Sequence, residues 1–322
     1  MAVLITGGYG LLGSWVAYYL AKDGKKVIMF DVALREFDYL EKVKSLLVRV
    51  KGSILNWSDL LQTFKKFNSE IEGIIHTPAI MATPKYWENP YQSTTLNIIG
   101  TLNILEMARI FGIKKVVYIS SGAVYGEVKD RASEITHPVR PSDLYGASKA
   151  SAEFLGLQYQ NHYGIDFRIV RPYFFFGPGR LPSELPPIFR TLFGCIEGLS
   201  NLELEKGADQ SLGFTYVKDT AWGTVLVYRA KNLRYKTFNI AAEKAINFVE
   251  LVEISRKYSS SPCKVKIGPG KLFPRGETLD ISLAKKELGF ESKYTIEEAV
   301  AEYANWIRKN KNYLRKTNES TC

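Results

Sequence analysis

Tyr145 and Lys149 are the two residues whose types and spacing most directly suggest chemistry. They stand four positions apart in Tyr-Gly-Ala-Ser-Lys, so in a helix both side chains lie on one face. A phenol there can exchange a proton with a reacting group if its pKa falls from about 10 towards neutrality. Because a cation at about 5 Å contributes around 3 kcal/mol to such a shift, we expect Lys149 and a positively charged ligand to lower it together.

A hydroxyl and an amide accompany this pair. Ser121 follows a strand-like run over 115–120, at the carboxyl edge where doubly wound sheets bind ligands. Its hydroxyl is expected to hydrogen-bond the substrate oxygen that Tyr145 protonates or deprotonates. Asn97 lies in a helical pattern over 92–111, directly before that strand.

A glycine-rich turn opens the first βα unit of the chain. The segment Gly7–Gly13 reads Gly-Gly-Tyr-Gly-Leu-Leu-Gly and stands between a predicted strand at 2–6 and a predicted helix at 11–23. Glycines allow a sharp turn and a close approach of the backbone to a pyrophosphate, and the helix N-terminus adds free N–H groups. The turn therefore predicts a bound dinucleotide.

Asp31 indicates which dinucleotide is favoured. It ends the second predicted strand, 18 residues after Gly13, close to the spacing expected for an acid that binds both ribose hydroxyls of NAD. A carboxylate there repels the 2′-phosphate of NADP. Arg35 lies nearby and would offset part of that repulsion, so NAD is favoured and NADP stays open as the alternative.

The elements that must position these residues alternate through the first half of the chain. The predicted strands are 2–6, 26–31, 47–51, 72–76, 115–120 and 166–172, and the predicted helices are 11–23, 57–67, 92–111 and 144–162. Strands that alternate with helices favour right-handed βαβ units. The predicted fold class is α/β, a Rossmann-type doubly wound parallel sheet.

The pattern changes after Pro172, where the chain becomes rich in aromatic residues and proline. The proline-rich segment 182–187 cannot form a regular helix or a central strand. The rest mixes short strands, loops and helices, and ends in a helical pattern at 296–309. We therefore predict an NAD-binding domain over 1–172 and a smaller, irregular, mainly substrate-binding part over 173–322, with some segments returning to the sheet.

Composition limits the partners and the location. The 322 residues carry a formal net charge of +10 at pH 7, and residues 229–275 hold eleven Lys or Arg against three acids. We interpret this excess as a solvated basic face, with steering of an anionic ligand as the alternative. No nucleic-acid module is recognisable, and no apolar run approaches the roughly 20 residues of a membrane helix. Three scattered cysteines and an N-terminus without a secretory pattern predict a cytoplasmic protein with a small-molecule substrate.

With these residues in hand, the chain resembles the extended short-chain dehydrogenase/reductase family, in its NAD-dependent epimerase/dehydratase group. The resemblance extends over nearly the whole chain, to about residue 309. Thr6–Gly13 is similar to the family's TGxxGxxG cofactor turn, and Ile75–Ala79 is similar to the segment that ends its fourth strand. Asp280–Phe290 resembles its C-terminal signature.

The resemblance implies roles for individual residues. Asn97, Ser121, Tyr145 and Lys149 fall on the family's catalytic tetrad. The residues implied at the cofactor are Gly7, Gly10, Leu11, Leu12, Gly13, Asp31, His76, Ser120, Tyr145 and Lys149. Those implied at the substrate are Thr83, Ser121, Gly122, Tyr145, Tyr173, Phe174 and Arg275. No metal site is expected, and the helices at 92–111 and 144–162 resemble the pair that joins two subunits into a homodimer.

Two positions depart from the nucleotide-sugar enzymes of the family. Phe174 replaces an asparagine, and Leu212 replaces an arginine that contacts nucleotide phosphates. Each lost contact removes roughly 1–3 kcal/mol, so UDP is predicted to bind weakly, above about 1 mM. Gly122 and Ala123 replace the acidic residues of the family's dehydratases and decarboxylases, which disfavours those reactions.

Three functions follow from these observations. The first is an NAD-dependent oxidoreductase that moves hydride between NAD and a secondary alcohol or ketone of a small sugar, sugar acid or hydroxy acid. The alternative is a nucleotide-sugar epimerase that recycles tightly bound NAD. The third is a non-catalytic NAD-binding protein. Release of free NADH distinguishes the first from the other two.

Overall fold

The computed structural model of the protein describes residues 1–81, 84–128, 131–199 and 201–311. Its main element is a parallel sheet of seven strands, in the order β11-β6-β5-β4-β1-β2-β3. The strands of the chain are β1 (Ala2–Thr6), β2 (Lys26–Asp31), β3 (Leu47–Lys51), β4 (Ile71–His76), β5 (Lys115–Ile119), β6 (Asp166–Pro172), β7 (Phe175–Phe176), β8 (Leu202–Leu204), β9 (Ser211–Leu212), β10 (Thr215–Tyr216), β11 (Thr237–Ile240), β12 (Ile246–Asn247) and β13 (Val265–Ile267).

Helices cover both faces of this sheet. The helices of the described residues, some of which belong to the second half of the chain above the sheet, are α1 (Leu11–Lys22), α2 (Asp38–Glu41), α3 (Trp57–Phe67), α4 (Pro84–Glu88), α5 (Pro90–Ile110), α6 (Leu144–Tyr163), α7 (Pro187–Glu197), α8 (Val217–Arg229), α9 (Phe248–Arg256), α10 (Ser282–Leu288) and α11 (Ile296–Lys309). None of the described helices combines the length and the apolarity that a membrane crossing requires.

Alternation along the strands divides the apolar side chains between two cores. In β1, Val3 and Ile5 face one core with α1 and α8, whereas Ala2 and Leu4 face the other with α3 and α5. All five residues of the strand are buried. A parallel strand that is covered on both faces needs a continuous apolar run, which explains the composition of this segment.

The strand order reverses between β1 and β4, and this crevice positions the site. β1 pairs with β2 on one side and with β4 on the other, all in parallel. The loops after β1 and β4 therefore diverge at the carboxyl edge and leave a crevice, where open α/β sheets bind their ligands. The predicted Rossmann-type sheet is confirmed.

The second half of the chain builds a smaller layer above this edge and also returns to the sheet. β11 pairs in parallel with β6, and α8 packs against α1. Three two-stranded pairs, β7 with β10, β9 with β12 and β8 with β13, make up the rest of its strands within the described residues. Segments beyond residue 172 thus contribute both to the sheet and to the layer that covers its carboxyl edge.

Candidate active site

A cavity of about 360 Å³ opens at the reversal point of the sheet. Many of the residues singled out from the sequence line it. They are Gly7, Gly10, Leu11, Leu12, Asp31, Ser120, Ser121, Tyr145, Lys149, Tyr173, Phe174 and Arg275. A larger surface depression of about 750 Å³ lies beside β8 and β13, and none of these residues line it.

The glycine turn forms one end of the cavity. Gly7 has a φ of 68°, a left-handed conformation that favours glycine. A Cβ atom on Gly13 would lie 2.2 Å from the carbonyl oxygen of Gly7, so only glycine lets α1 pack this closely under the turn. Gly13 therefore supports the turn from below and does not line the cavity, whereas Gly10, Leu11 and Leu12 do.

Asp31 is held in place at the same end. Its carboxylate accepts hydrogen bonds from the backbone N–H groups of Tyr9 at 3.0 Å and Ala33 at 3.2 Å. Burial raises the pKa of Asp31, and these two hydrogen bonds oppose the increase. Arg35, the residue that kept NADP open, forms two hydrogen bonds to the carboxylate of Glu184, one of them at 2.9 Å. Because its charge is already paired with a carboxylate, Arg35 is less suited to bind the 2′-phosphate of NADP, which weakens the NADP alternative.

Ser120 provides an independent test of whether a dinucleotide fits. Its hydroxyl is buried, lines the cavity and has no hydrogen-bond partner within the described part of the chain. Buried hydroxyls are normally paired, so this one points to a polar ligand. Together with the turn at Gly7 and the anchored Asp31, it supplies the groups that a dinucleotide needs, and NAD fits this end of the cavity.

Tyr145 lies in the first turn of α6, at the other end of the cavity. The helix begins after Asp143, whose carboxylate accepts a hydrogen bond from the N–H of Gly146 at 2.7 Å. The Ser121 hydroxyl interacts with the phenol of Tyr145. Burial nevertheless raises the pKa of that phenol to about 12, with Ser121 and Arg180 opposing the increase. The side chains alone therefore do not produce the predicted lowering of this pKa.

Lys149 follows one turn later and lines the same cavity. Its side chain is fully buried, and burial lowers its pKa to about 7, with the carboxylate of Glu153 opposing the decrease. An ammonium with this pKa gains or loses its proton near neutral pH. Its charge beside the site is consequently sensitive to pH, which the spacing of Tyr145 and Lys149 does not reveal.

Asn97 acts at a distance from the cavity. Its Oδ1 accepts a hydrogen bond from the N–H of Ile80 at 3.0 Å, and its Nδ2 donates to the Ser148 hydroxyl at 3.0 Å. The side chain thus ties the segment after β4 to α6. It does not line the cavity, and its place in the predicted tetrad stays a prediction.

His76 does not line the cavity either. Its ring is buried, with Nδ1 2.7 Å from the Thr6 hydroxyl and Nε2 3.1 Å from the Thr101 hydroxyl. Burial and the charge of Lys149 lower its pKa to about 3, so the ring is neutral. β4 directs the ring into the core and away from the cavity, and the expected contact of His76 with the cofactor stays a prediction.

The aromatic wall of the cavity comes from the segment after β6. Tyr173 and Phe174 both line it, and Phe174 has a φ of 31°, which is uncommon for a bulky residue. The Phe174 ring packs on Tyr173, Phe214 and Phe273. Gly122 lies behind this wall, since a Cβ there would be 2.6 Å from the Tyr173 ring. Although it was expected at the substrate, Gly122 does not line the cavity.

The remaining predicted substrate residues differ in their placement. Arg275 lines the cavity, and its guanidinium donates to the Ser142 hydroxyl at 2.6 Å and to the Asp143 carboxylate at 2.5 Å. Leu212, which replaces an arginine of the relatives, is buried away from the cavity. Thr83, the last of the set, lies outside the described residues.

Arg180 lines the cavity, and the sequence analysis missed it. Its charge acts on the phenol of Tyr145, and its two terminal nitrogens lie 3.7 and 3.6 Å from the Met81 sulfur. Burial lowers the pKa of Arg180, with Glu184 opposing the decrease. The available signal was the Gly-Pro-Gly-Arg turn at 177–180, which follows a strand at the ligand-binding edge and ends in a cation.

Comparisons with known proteins agree with this geometry. The model of the NAD dependent epimerase/dehydratase family matches residues 3–241. The chain is 30% identical to the UDP-glucuronate 4-epimerase of Thermodesulfobacterium geofontis, with 95% of this chain and 96% of that protein covered. It is 25% identical to the UDP-glucose 4-epimerase of Lacticaseibacillus casei, with 95% and 96% covered.

Solved structures show the same similarity. The UDP-glucose 4-epimerase of Thermotoga maritima with UDP-glucose has a TM-score of 0.84 and 26% identity, with 96% of this chain and 99% of that chain covered. The dTDP-glucose 4,6-dehydratase of Bacillus anthracis in complex with NAD has a TM-score of 0.81 and 25% identity, with 98% and 99% covered. The similarity therefore spans both the sheet and the layer above it.

Proposed function

We propose that this chain, which belongs to the NAD-dependent epimerase/dehydratase family, inverts a secondary alcohol of an acidic sugar and retains its NAD between turnovers. It is an NAD-dependent enzyme of the extended short-chain dehydrogenase/reductase type. The proposal concerns the substrate, the net reaction and the residues that carry it out.

The cavity supports a role for each of these residues. When bound, NAD would accept a hydride from the sugar and later return it. Tyr145 takes the hydroxyl proton as the carbon–hydrogen bond breaks and a ketone forms, and it returns the proton when hydride is delivered to the other face. Ser121 hydrogen-bonds the same oxygen, Lys149 stabilises the phenolate, and Asn97 positions α6.

The single observation that carries the substrate class is the position of Arg180. Its guanidinium shares the cavity with Tyr145 and acts on the phenol, which supports a cation close to the reacting carbon of a bound substrate. Guanidinium groups recognise carboxylates through two parallel hydrogen bonds. A sugar that carries a carboxylate close to the oxidised carbon, as in a hexuronic acid, suits this arrangement.

The relatives support a nucleotide on that sugar, because the similarity to a UDP-sugar enzyme extends over almost the whole of both chains. The UDP-glucuronate 4-epimerase of Thermodesulfobacterium geofontis is matched over 96% of its length, so the layer above the sheet is retained. Leu212, which counted against nucleotides, does not line the cavity, and Arg275 does. The favoured substrate is therefore a UDP-linked hexuronic acid.

A second candidate is favoured by Phe174. An apolar ring on a strained backbone replaces a polar amide in the cavity wall, which suits a smaller substrate without a nucleotide. On that basis the enzyme would be a dehydrogenase of a small sugar acid that releases NADH. The two candidates share every role assigned above and differ in the fate of the cofactor.

Two measurements test the proposal. We expect NMR to show interconversion of UDP-glucuronate and its 4-epimer without free NADH, and calorimetry to show UDP binding to the NAD-loaded enzyme at micromolar concentrations, or about 8 kcal/mol. UDP binding weaker than about 1 mM, together with NADH release from an unlinked sugar acid, would replace the epimerase by the dehydrogenase.

We also propose a homodimer formed through α5 and α6. Large apolar side chains are exposed along these two packed helices, namely Tyr91, Ile99 and Ile110 on α5 and Leu144, Phe154 and Tyr163 on α6. An exposed apolar surface on two adjacent helices suits self-association about a two-fold axis. The division into a cofactor part over 1–172 and a substrate part over 173–322, and the cytoplasmic location, remain part of the proposal.

A further inference from the structure

Residues 177–184, which we call the strap, cross from the upper layer over the start of α1. The indole Nε1 of Trp15 donates to the carbonyl oxygen of Pro178 at 2.8 Å. Gly179 has a φ of 117°, and a Cβ atom there would lie 2.7 Å from the Tyr39 hydroxyl. The strap therefore lies directly against the helix whose first turn closes the glycine-rich end of the cavity.

An ion pair at the end of the strap also holds it on that side. Arg35, four residues beyond Asp31, forms two hydrogen bonds to the Glu184 carboxylate, although the two partners are 149 positions apart in sequence. Burial raises the pKa of Glu184, but the hydrogen bonds and the charge of Arg35 outweigh it and leave the pKa below its usual range. The carboxylate is therefore ionised near neutral pH, and the pair is a true ion pair.

The same strap also contacts the opposite wall. Arg180 lies 3.6 Å from the sulfur of Met81, which belongs to the segment after β4 and lines the cavity. The strap thus joins the Asp31 side of the crevice to the β4 side. A dinucleotide that occupies the crevice between these walls lies beneath it.

We propose that the strap, fastened by Arg35 and Glu184, sets how long NAD stays bound and thereby directs the hydride back to the sugar instead of out of the enzyme as NADH. This inference rests on the proposed function and deepens it, because an epimerase requires that the reduced cofactor stay bound until the ketone has been reduced again. The pair is partly exposed, with side-chain exposures of 21% for Arg35 and 38% for Glu184. Pairs of this kind are individually weak and open readily, so the strap allows slow exchange of NAD without closing the site permanently.

The dissociation rate of NAD tests this directly and needs no sugar substrate. We would load the enzyme with NAD, dilute it into excess competing cofactor and follow release by protein fluorescence for Glu184→Gln, Arg35→Gln and the double variant. Each single change is expected to increase the rate about fivefold, which corresponds to about 1 kcal/mol. Because both remove the same fastening, the double variant should release NAD no faster than either single one.

Asp23→Asn provides the matched control. It removes the Asp23–Arg229 ion pair, whose nitrogen–oxygen distance is 2.7 Å and whose exposures are 42% and 38%, at the far end of α1. This variant should release NAD at the wild-type rate. A Glu184→Gln rate within twofold of wild type would overturn the inference. Multiplying effects in the double variant would overturn it too, since Arg35 would then act on NAD by itself.

The outcome for the strap is separable from that for the proposed function. A wild-type enzyme that releases NADH during turnover, while Glu184→Gln still accelerates NAD dissociation, supports the strap and contradicts the epimerase. Sugar inversion without free NADH, combined with unchanged dissociation in Glu184→Gln, supports the epimerase and contradicts the strap.

Discussion

The Nζ atom of Lys149 lies 4.3 Å from the centre of the Tyr118 ring. Both side chains are buried, and Tyr118 belongs to β5, whereas Lys149 belongs to α6. A cation over an aromatic face is stabilised by the ring, which partly offsets the cost of removing the ammonium from water. Burial remains the larger effect, since the pKa of Lys149 still falls to about 7.

The first prediction concerns stability against pH. Lys149 has a pKa of about 7 in the folded chain, against 10.5 as its ordinary value, so the unfolded state binds more protons between those limits. Stability of the NAD-free protein should therefore rise with pH in that window, by up to about 1.4 kcal/mol per unit from this group. Urea unfolding of wild type and Lys149→Met at about pH 7 and about pH 9 measures the difference. Equal pH dependence in the two proteins would contradict the assignment.

The second prediction concerns Tyr145. Replacement by Phe removes the proton that is transferred but leaves the ring in place, so turnover should fall by about 10²–10⁴-fold while NAD affinity stays within about threefold. Tyr86→Phe is the control, because that ring packs edge-on against Tyr145 and its hydroxyl contacts Thr94 at 3.0 Å. Turnover by the control should stay within a few-fold of wild type. Substantial activity in Tyr145→Phe would remove the phenol from the chemistry.

The third prediction concerns Arg180. Arg180→Met should lower kcat/KM for an acidic sugar by about 10–100-fold, as expected for the loss of a charge-assisted contact, and should change little for a neutral sugar of the same shape. Arg234→Met, at an exposed position before β11, is the control and should leave both values unchanged. Equal losses for the acidic and the neutral sugar would show that the guanidinium does not recognise a carboxylate.

The fourth prediction concerns the subunit interface. Phe154 is 56% exposed on α6, so Phe154→Glu should cost little folding stability while placing a charge in the proposed apolar contact. Sedimentation at micromolar concentration should show a dimer for wild type and a monomer of 36.4 kDa for the variant. Leu55→Glu, at an exposed site on neither helix, should remain dimeric. A monomeric wild type would refute the interface outright.

Local pattern was enough to predict most of the sheet and the cofactor end of the cavity. The predicted strand 166–172 coincides with β6, because a run of β-branched and aromatic residues next to a glycine that ends the preceding helix leaves little choice. The predicted helix 92–111 is observed as α5 from Pro90, since Asn89 caps it and proline fits the first turn. The glycine turn and Asp31 were equally readable, because their spacing follows directly from strand, turn and helix.

By itself the sequence therefore determined the Rossmann sheet, the cofactor turn and the Tyr145–Lys149 pair, all of which depend on residues close together in the chain. The tertiary structure alone decided that Arg180 lines the same cavity as Tyr145, that His76 turns into the core, and that burial sets the pKa values near the cavity. Desolvation and Coulomb interactions depend on distances between side chains that many residues separate, and periodicity carries no information about such distances. The Arg35–Glu184 ion pair was equally unreadable from the sequence, because only folding brings together the two segments that contain these residues.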